Sequence, residues 1–403
     1  MQTVFPLKGV LQHYAWGGTQ FIPDLLDINN EDKKPVAEWW MGTHPKGPSR
    51  VLTAQGWQRL DEWVTSNPIA ALGDAVAKRF GGKLPFLFKV LDVKKMLSIQ
   101  VHPNKSAAVQ GFYAEEKEGV PIEAPDRNFK DDNHKPELMW ALTDFWLLHG
   151  FRNIKSINEL LESVPEFAGL RPVFGTDHDI ARLYRHVMEL SQERVNEILE
   201  PLEKRLKISY EKGLLKKDHP DFWAHRAFCD FTQGGNYDRG IFSVYFLNLV
   251  NVKPGEVVFQ DSGILHAYLE GVNVELMANS DNVLRGGLTP KYVDVAELMK
   301  HVRFESVIPK ILTPVSINAI RSKVETPAPD FQLSHLVLKK GQQYQRMPNT
   351  GPEIYFVLEG NVSTGEGSPF SKGEAFFVPD TSLVNMEGEG ELFCAGVPFM
   401  MVC

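Results

Sequence analysis

The spacing of apolar residues changes twice along this 403-residue chain, and this change constrains the fold most strongly. Short apolar runs bounded by glycine, proline and asparagine fill residues 1–151 and return after residue 230. Such runs are typical of strands in a barrel or sandwich. Between them, residues 152–229 carry apolar side chains such as Leu183 and Val187 at helical spacing. We therefore expect a mainly β fold with an α-helical insert.

The length of the chain favours more than one domain, because a single hydrophobic core stops growing at roughly 250–300 residues. We expect a first β domain of residues 1–151 and 230–310, into which a helical domain of residues 152–229 is inserted. Residues 311–403 are expected to form a second β domain. Four prolines between residues 309 and 330 indicate the crossing between the two β domains.

Local patterns predict individual elements within these domains. Apolar residues on one helical face predict a helix over residues 69–76, and the glycine pair at 81–82 would end it. Residues 86–92, 97–102 and 242–252 are predicted to be strands.

Charge and hydropathy exclude two classes of protein. The 43 basic and 51 acidic residues leave a net charge of −8, which argues against a nucleic-acid-binding protein. The chain contains no run of 18 apolar residues and no basic leader before an apolar stretch, so neither a membrane span nor a signal peptide is expected. We expect a cytoplasmic monomer.

The three cysteines are far apart in sequence. Cys229, Cys394 and Cys403 form no C-x-x-C pair, so neither a disulfide framework nor a thiolate zinc site is expected. Buried or terminal thiols in a reducing compartment explain them.

Four polar residues are candidate metal ligands. Gln100 and His102 alternate in a predicted strand and therefore share a face. Glu137 leads directly into an apolar run, where a carboxylate needs a cation to offset desolvation, and His266 has apolar neighbours. Each residue alone has an ordinary explanation, such as a polar edge strand or a satisfied buried histidine. Together, two imidazoles and two oxygens suit Zn²⁺, although ligand type does not exclude iron.

The segment 278–291 combines turn residues, a glycine pair and two cations. Arg285 directly precedes the glycines, which allow close backbone approach, and Lys291 follows six residues later. Two cations and bare amides suit a phosphate group, whereas the alternative is a surface loop with ordinary charges. Just before this segment, Glu275 and Asn273 share a strand face, which makes Glu275 a further candidate carboxylate.

Taken in order, five segments resemble type I phosphomannose isomerases of the cupin superfamily. The segments are residues 14–18, 98–103, 134–138, 266–268 and 280–291. A glycine-led run that begins at residue 255 and ends near His266 is similar to the second cupin motif, and a similar run from residue 373 lacks a histidine. The resemblance implies two cupin-like jelly-roll barrels plus a helical domain, with metal only in the first barrel.

The resemblance also implies a reaction, a cofactor and a set of site residues. The reaction would interconvert mannose 6-phosphate and fructose 6-phosphate through an enediol, with one zinc ion per chain and a sugar phosphate as the small-molecule partner. The metal ligands would be Gln100, His102, Glu137 and His266. The candidate catalytic residues are Arg285, Lys135 and Glu275, and the last two are alternatives for the base. The candidate substrate-binding residues are Lys291, Trp16, Tyr268 and Asp281.

Two other classes of function remain open at this point. A cupin metalloenzyme of another class, such as an iron dioxygenase, would bind iron and consume oxygen. A non-catalytic module would bind a sugar phosphate without turnover. The amide ligand Gln100 and the cations Arg285 and Lys291 speak against the dioxygenase.

Overall fold

A computed structural model describes residues 2–367 and 369–398 of the chain. The strands are β1 (Phe5–Lys8), β2 (Val10–Gln12), β3 (Glu38–Gly42), β4 (Arg50–Thr53), β5 (Gly56–Arg59), β6 (Phe86–Val93), β7 (Gln100–Val101), β8 (Glu137–Ala141), β9 (Phe145–Phe151), β10 (Leu247–Val252), β11 (Val257–Gln260), β12 (His266–Ala278), β13 (Leu284–Arg285), β14 (Val315–Ser316), β15 (Arg321–Lys323), β16 (Gln332–Leu338), β17 (Gln343–Arg346), β18 (Glu353–Ser363), β19 (Phe370–Ser371), β20 (Ala375–Val378) and β21 (Val384–Gly396). The helices are α1 (Phe21–Leu25), α2 (Leu60–Ser66), α3 (Pro68–Leu72), α4 (Asp74–Arg79), α5 (Lys105–Glu118), α6 (Ile154–Ser163), α7 (Arg171–Phe174), α8 (Ile180–Glu189), α9 (Gln192–Glu211), α10 (Pro220–Phe231), α11 (Gly240–Phe246) and α12 (Val295–His301), with a 3-10 helix at Pro165–Leu170.

The strands of the described residues form two antiparallel sheets. One sheet has ten strands in the order β10-β9-β12-β6-β3-β2, with β8 and β7 also paired to β12, β11 paired to β8 and β13 paired to β7. The other has eleven strands in the order β14-β15-β16-β21-β18-β20-β1-β4-β5, with β17 paired to β21 and β19 paired to β18. The fold is therefore mainly β, as predicted.

The eleven-stranded sheet joins both ends of the described chain. Strand β1 pairs with β20, so that Phe5 lies opposite Phe377. Side chains from both ends, including Phe5, Phe377 and Phe393, belong to one buried cluster that also contains Val274 of the ten-stranded sheet. The first strands of the chain are thus packed with the last ones, a pairing that the predicted division at residue 310 does not include.

The helices α6 to α10 lie between residues 154 and 231 and share one apolar cluster with strands of the ten-stranded sheet, such as β9 and β12. Polar residues start four of them, because the side chains of Asn153, Asp179, Ser191 and His219 each accept a hydrogen bond from a backbone N–H of the first turn. Leu183 and Val187, which the sequence places on one helical face, are buried here.

Three local predictions differ from the structure. Residues 242–246 belong to helix α11, and only the second half of the predicted strand 242–252 is extended. All seven residues of α11 are buried, and a short apolar run buried on every side does not distinguish a helix from a strand. The predicted helix 69–76 is divided at Gly73, whose φ of 78° ends α3. Of the predicted strand 97–102, only Gln100–Val101 is paired.

No helix in the described ranges is long and apolar enough to cross a membrane. Cys229 is exposed and Cys394 is buried, and both are free thiols. Cys403 lies outside the described residues.

Candidate metal centre

The long central strand β12 brings distant parts of the chain together. Its first residue, His266, pairs with β7 on one side and β9 on the other, whereas its second half pairs with β6 and β8. His102 follows directly after β7, and Glu137 is the first residue of β8. Three of the predicted ligands therefore reach one point from three strands.

The side chains of His102, Glu137 and His266 form a compact buried cluster, called the metal group below. The Nε2 atom of His102 lies 3.4 Å from Oε1 of Glu137, and Nε2 of His266 lies 3.3 Å from Oε2. One potential ligand atom from each of the three residues lies within 4.8 Å of the other two. Both histidines are fully buried, so this group can enclose a metal ion away from bulk water.

Backbone carbonyls fix the orientation of both imidazoles. Nδ1 of His102 donates to the backbone oxygen of Asn282 at 2.8 Å, and Nδ1 of His266 donates to that of Ile264 at 2.9 Å. In the described chain, neither Nε2 atom has a hydrogen-bond partner. Metal-binding histidines are oriented in this way, with one nitrogen donating outward and the other free for the ion.

The charges of the group also suit a metal ion. Burial lowers the pKa of His102 to about 4, and the positive charge of Lys135 adds to this effect. Burial would raise the pKa of Glu137, but Lys135 and His102 hold that pKa well below the usual range. A neutral imidazole and an ionised carboxylate are the forms that bind metal. The residues present therefore fit a divalent cation.

The sheet register places Gln100 beside this group. Gln100 lies opposite His266 of β12 and, on its other side, opposite Arg285 of β13. Residues directly opposite in an antiparallel pair have side chains on the same face, with Cβ atoms about 4.5–5.5 Å apart. The side chain of Gln100 thus shares a face with those of His266 and Arg285, and its role as a ligand stays a prediction.

A second buried group surrounds the candidate base Glu275. Its Oε2 atom lies 2.8 Å from Nζ of Lys89, which is also 3.6 Å from Oε2 of Glu38. Burial raises the pKa of Glu275, and Glu137 and Glu38 raise it further although Lys89 opposes them. The two carboxylates raise the pKa of Lys89 despite its burial. The ammonium group of Lys89 therefore forms ion pairs with both Glu275 and Glu38 next to the metal group.

The sequence already contained a signal for Lys89, which was not among the predicted site residues. Lys89 lies in the middle of β6, whose eight residues are all buried. Such a lysine needs a buried partner, and the partner is supplied by β12, the neighbouring strand.

The other candidate base, Lys135, also contacts the group of candidate ligands. Its Nζ atom is 3.2 Å from Oε1 of Glu137, and its side chain is 11% exposed. Lys135 is thus an ion-pair partner of a candidate ligand, which is consistent with its position two residues before Glu137.

Three cations lie near the end of β13. Burial lowers the pKa of Lys291, and the positive charges of Arg285 and Lys46 lower it further. Lys46 pairs with Asp281 at 3.0 Å, and His44 lies 3.3 Å from the same carboxylate. Within residues 2–367 and 369–398, no carboxylate pairs with Arg285 or Lys291. Their charges are therefore available to an anion.

The glycine loop (residues 286–289) differs from its prediction. A Cβ atom on Gly286 would lie 2.7 Å from the hydroxyl oxygen of Tyr184 in α8, so this glycine makes room for a helix. The backbone N–H groups of Leu288 and Thr289 donate to the carboxylate of Asp238. The expectation that bare amides of this loop hold a phosphate is wrong for these two, because the protein already uses them.

Trp16 and Tyr268 belong to one apolar region of the ten-stranded sheet. The ring of Trp16 stacks on Tyr14 with centroids 5.7 Å apart and packs against the buried cluster that contains Tyr268. Tyr268 is 2% exposed, its ring contacts Phe145 edge-on, and burial together with Glu275 raises its pKa. The substrate-binding roles of Trp16 and Tyr268 stay predictions.

Two further buried polar residues adjoin the metal group and were not predicted. His149 lies opposite His266, and Gln260 lies opposite Glu137. None of their side-chain nitrogen or oxygen atoms has a hydrogen-bond partner in the described residues. Buried polar atoms of this kind are normally satisfied by water or a ligand. The sequence could have indicated both residues, because each is the one polar side chain in an otherwise apolar strand, His149 in β9 and Gln260 in β11.

Comparison with known proteins identifies the family. A family model described as phosphomannose isomerase type I, catalytic domain, matches residues 4–154. Mannose-6-phosphate isomerase of Escherichia coli (strain K12) is 38% identical, over 95% of this chain and 96% of the relative. The Bos taurus enzyme of the same name is 33% identical, over 96% of each chain. A crystal structure of mannose 6-phosphate isomerase from Salmonella typhimurium, described as bound to a substrate abbreviated f6p and to zinc, has a TM-score of 0.87 and 36% identity over 99% of this chain and 100% of that chain. This chain belongs to the type I phosphomannose isomerase family.

Proposed function

We propose that this chain is a zinc-dependent isomerase that interconverts mannose 6-phosphate and fructose 6-phosphate. The observation that carries the proposal is the convergence of two buried, unpaired imidazole nitrogens on one carboxylate, in His102, His266 and Glu137. The names of the relatives and the zinc in the Salmonella typhimurium structure support the same activity and metal.

The metal would be held by His102, Glu137 and His266, with Gln100 as the fourth ligand. These ligands contribute one negative charge, because the imidazoles and the amide are neutral. When bound, zinc would supply Lewis-acid chemistry, polarising a sugar oxygen and offsetting negative charge in the transition state. Other first-row metals bind similar donors, so the metal content is part of the test.

Arg285 and Lys291 would receive the phosphate group of the substrate. Arg285 is half-buried and Lys291 is exposed, and both lack carboxylate partners among the described residues, whereas the nearby Lys46 is held by Asp281. A guanidinium and an ammonium side by side suit a phosphate dianion. A second role for Arg285, stabilisation of the enediolate, is supported by its register position next to Gln100.

The two roles of Arg285 predict different effects of Arg285→Ala. Loss of a phosphate contact should weaken binding of inorganic phosphate and raise KM. Loss of an enediolate contact should lower kcat and leave phosphate binding unchanged. Titration of the zinc-loaded variant with inorganic phosphate therefore separates them.

Proton transfer between C1 and C2 through an enediol would use Glu275 as the base. Its pKa is raised by burial, towards the range in which a carboxylate exchanges protons efficiently near neutral pH. Lys89 holds the carboxylate in place. Lys135 is the alternative base, although its ammonium group already pairs with the candidate ligand Glu137. Glu275→Gln and Lys135→Met variants with equal zinc content should be compared for kcat.

The fold proposed for this function is a pair of cupin-like jelly-roll barrels with a helical domain between their segments. The two antiparallel sheets support it, as do two distinct apolar clusters, one under the helices and strands of the ten-stranded sheet and one among the C-terminal strands. We retain the predicted segments, residues 1–151 with 230–310, 152–229 and 311–403, as the domain proposal, with β1, β4 and β5 contributing to the C-terminal sheet.

A coupled assay tests the proposed activity. Purified protein should form fructose 6-phosphate from mannose 6-phosphate, lose this activity after chelation and regain it with zinc. Glu137→Gln should lack the regain, whereas Glu118→Gln, at an exposed residue that ends α5, should retain it.

Other outcomes of the same experiment support the alternative classes. Iron in the purified protein together with oxygen consumption would indicate a cupin oxygenase. Binding of the sugar phosphate by zinc-loaded protein without turnover would indicate a binding module. Either result would contradict the isomerase proposal.

A further inference from the structure

The glycine loop that follows Arg285 has a strained backbone. Gly287 has a φ of 115° and Leu288 a φ of 53°, and a leucine rarely adopts such a left-handed conformation. A Cβ atom on Gly287 would lie 2.5 Å from the Cα atom of Gly240, so the loop contacts the start of α11 backbone to backbone. Such conformations persist only where surrounding contacts hold them.

On the side of α11, one carboxylate supplies these contacts. Oδ1 of Asp238 accepts hydrogen bonds from the backbone N–H of Leu288 and of Gly240, both at 2.7 Å. Its Oδ2 atom accepts a third from the backbone N–H of Thr289 at 3.1 Å. Hydrogen bonds to an ionised acceptor are about twice as strong as neutral ones. Asp238 therefore ties the glycine loop to α11.

Helices α8 and α9 in turn hold Tyr237 and Arg239, the two residues next to Asp238 in the chain. The backbone N–H of Tyr237 donates to Oδ1 of Asn196 at 3.1 Å, and Nε2 of Gln192 donates to the Tyr237 carbonyl at 3.0 Å. The guanidinium of Arg239 donates to the carbonyl of Met188 at the end of α8. The position of the carboxylate is thus set by α8 and α9.

The opposite side of the glycine loop is held by the strand that leads to the metal group. The backbone N–H of Gly286 donates to the carbonyl of Ile99 at 2.8 Å, and that of Ile99 donates to the carbonyl of Gly287 at 3.0 Å. These bonds continue the pairing of Arg285 with Gln100. The loop therefore lies between the segment of Ile99 and β7 on one side and Asp238, held by α8 and α9, on the other.

We propose that Asp238 is a positioning residue, which holds the glycine loop so that Arg285 and Lys291 meet the substrate phosphate. This inference rests on the proposed function, because it takes the two cations as the phosphate site. It assigns a role to the helical region, whose helices α8 and α9 anchor Asp238. A residue that only caps α11 would affect stability and leave substrate affinity unchanged.

The test uses the full-length, zinc-loaded chain with Asp238→Ala, Asp238→Asn and the control Asp230→Ala, which removes an exposed carboxylate from α10. Four quantities are measured: the Kd of inorganic phosphate by calorimetry, the KM and kcat for mannose 6-phosphate, the zinc content and the Tm. Asp238→Ala should raise the Kd and KM by about tenfold or more, because a shift of about 1 Å in a binding group can cost up to about 100-fold. The zinc content and the control variant should match the wild-type chain.

Two comparisons separate positioning from a structural role. Asp238→Asn keeps one carbonyl oxygen for the N–H groups of Leu288 and Gly240 and should recover part of the phosphate affinity. In an Arg285→Ala, Lys291→Ala background, Asp238→Ala should raise the Kd no further, because the groups it positions are gone.

The proposal is overturned if Asp238→Ala, or Asp238→Asn where the alanine variant does not fold, lowers the Tm but leaves Kd and KM unchanged. It is also overturned if the effect of Asp238→Ala persists undiminished in the double-variant background. Phosphate binding that depends on Asp238 in a chain without isomerase activity would support the positioning role and refute the proposed function.

Discussion

Replacing Lys89 by methionine should disable the candidate base Glu275 without changing its side chain. Lys89 Nζ lies 2.8 Å from Glu275 Oε2, and at this distance two unit charges attract by ~6 kcal/mol at an effective dielectric constant of ~20. Methionine is nearly the same length but neutral, so this attraction is lost. Burial and the charges of Glu137 and Glu38 then raise the pKa of Glu275 unopposed.

The direction of the pH effect follows from the charge of the base. Glu275 accepts a proton only when it is ionised, so a higher pKa moves the acid limb of kcat/KM to higher pH. At neutral pH the variant should lose a large part of the roughly 10²- to 10⁴-fold that a general base contributes, and it should recover activity as the pH rises.

The assay is the pH profile of kcat/KM for mannose 6-phosphate, measured at equal zinc content. Lys95→Met is the matched control, because Lys95 is exposed and six residues away on the same segment. Its profile should match that of the wild-type chain. An unchanged acid limb and wild-type turnover in Lys89→Met would refute the reasoning, since Lys89 would then not control the ionisation of the base.

Three further predictions concern the metal and the C-terminal sheet. His102→Ala should weaken zinc binding by more than ~100-fold, because outer partners of metal ligands alone are worth about 10- to 100-fold; equilibrium dialysis giving wild-type affinity would contradict this. Zinc at 100 times its Kd should stabilise the wild-type chain by ~2.7 kcal/mol over the chelated form, and a Tm that does not depend on zinc would argue against a specific site. Glu353→Gln should cost about 3–5 kcal/mol in denaturant unfolding at neutral pH, because the buried Arg346 and the partly buried Arg321 lose their carboxylate partner, while zinc binding should not change; a cost below ~1 kcal/mol would contradict it. Burial opposes ionisation of Glu353, but the two arginines lower its pKa from 4.5 to about 2. The ion pairs of Glu353 therefore stabilise the fold fully above pH 4.5, and this stabilisation is lost as the pH falls towards 2. The Glu353→Gln variant should not show this loss.

Alternation within single strands made part of the site predictable. Gln100 and His102 are two residues apart, and Glu137 stands at the border of an apolar run, so each could be recognised from its immediate neighbours. His149 and Gln260 could not be assigned in this way, because their significance comes from lying opposite His266 and Glu137 in neighbouring strands. Strand register across the sheet is not encoded in a local pattern.

The glycine loop illustrates the same limit. The sequence indicated correctly that its glycines permit a close approach of the backbone, but not what approaches it. In the structure the neighbours are Tyr184 and Gly240, about 100 and 50 residues earlier in the chain. A glycine shows that space is needed, whereas the identity of the neighbour depends on how the helices pack.

The sequence alone determined that this chain is mainly β with helices between residues 152 and 229, and which donor types are available for a metal. These properties follow from periodicity and side-chain chemistry, which are local. Only the tertiary structure decided that Lys89 pairs with Glu275 and Glu38, and that Asp238 holds the glycine loop. Those contacts join residues about 50 to 190 positions apart, and they form because a thirteen-residue strand, β12, and the helices beside it bury those residues together.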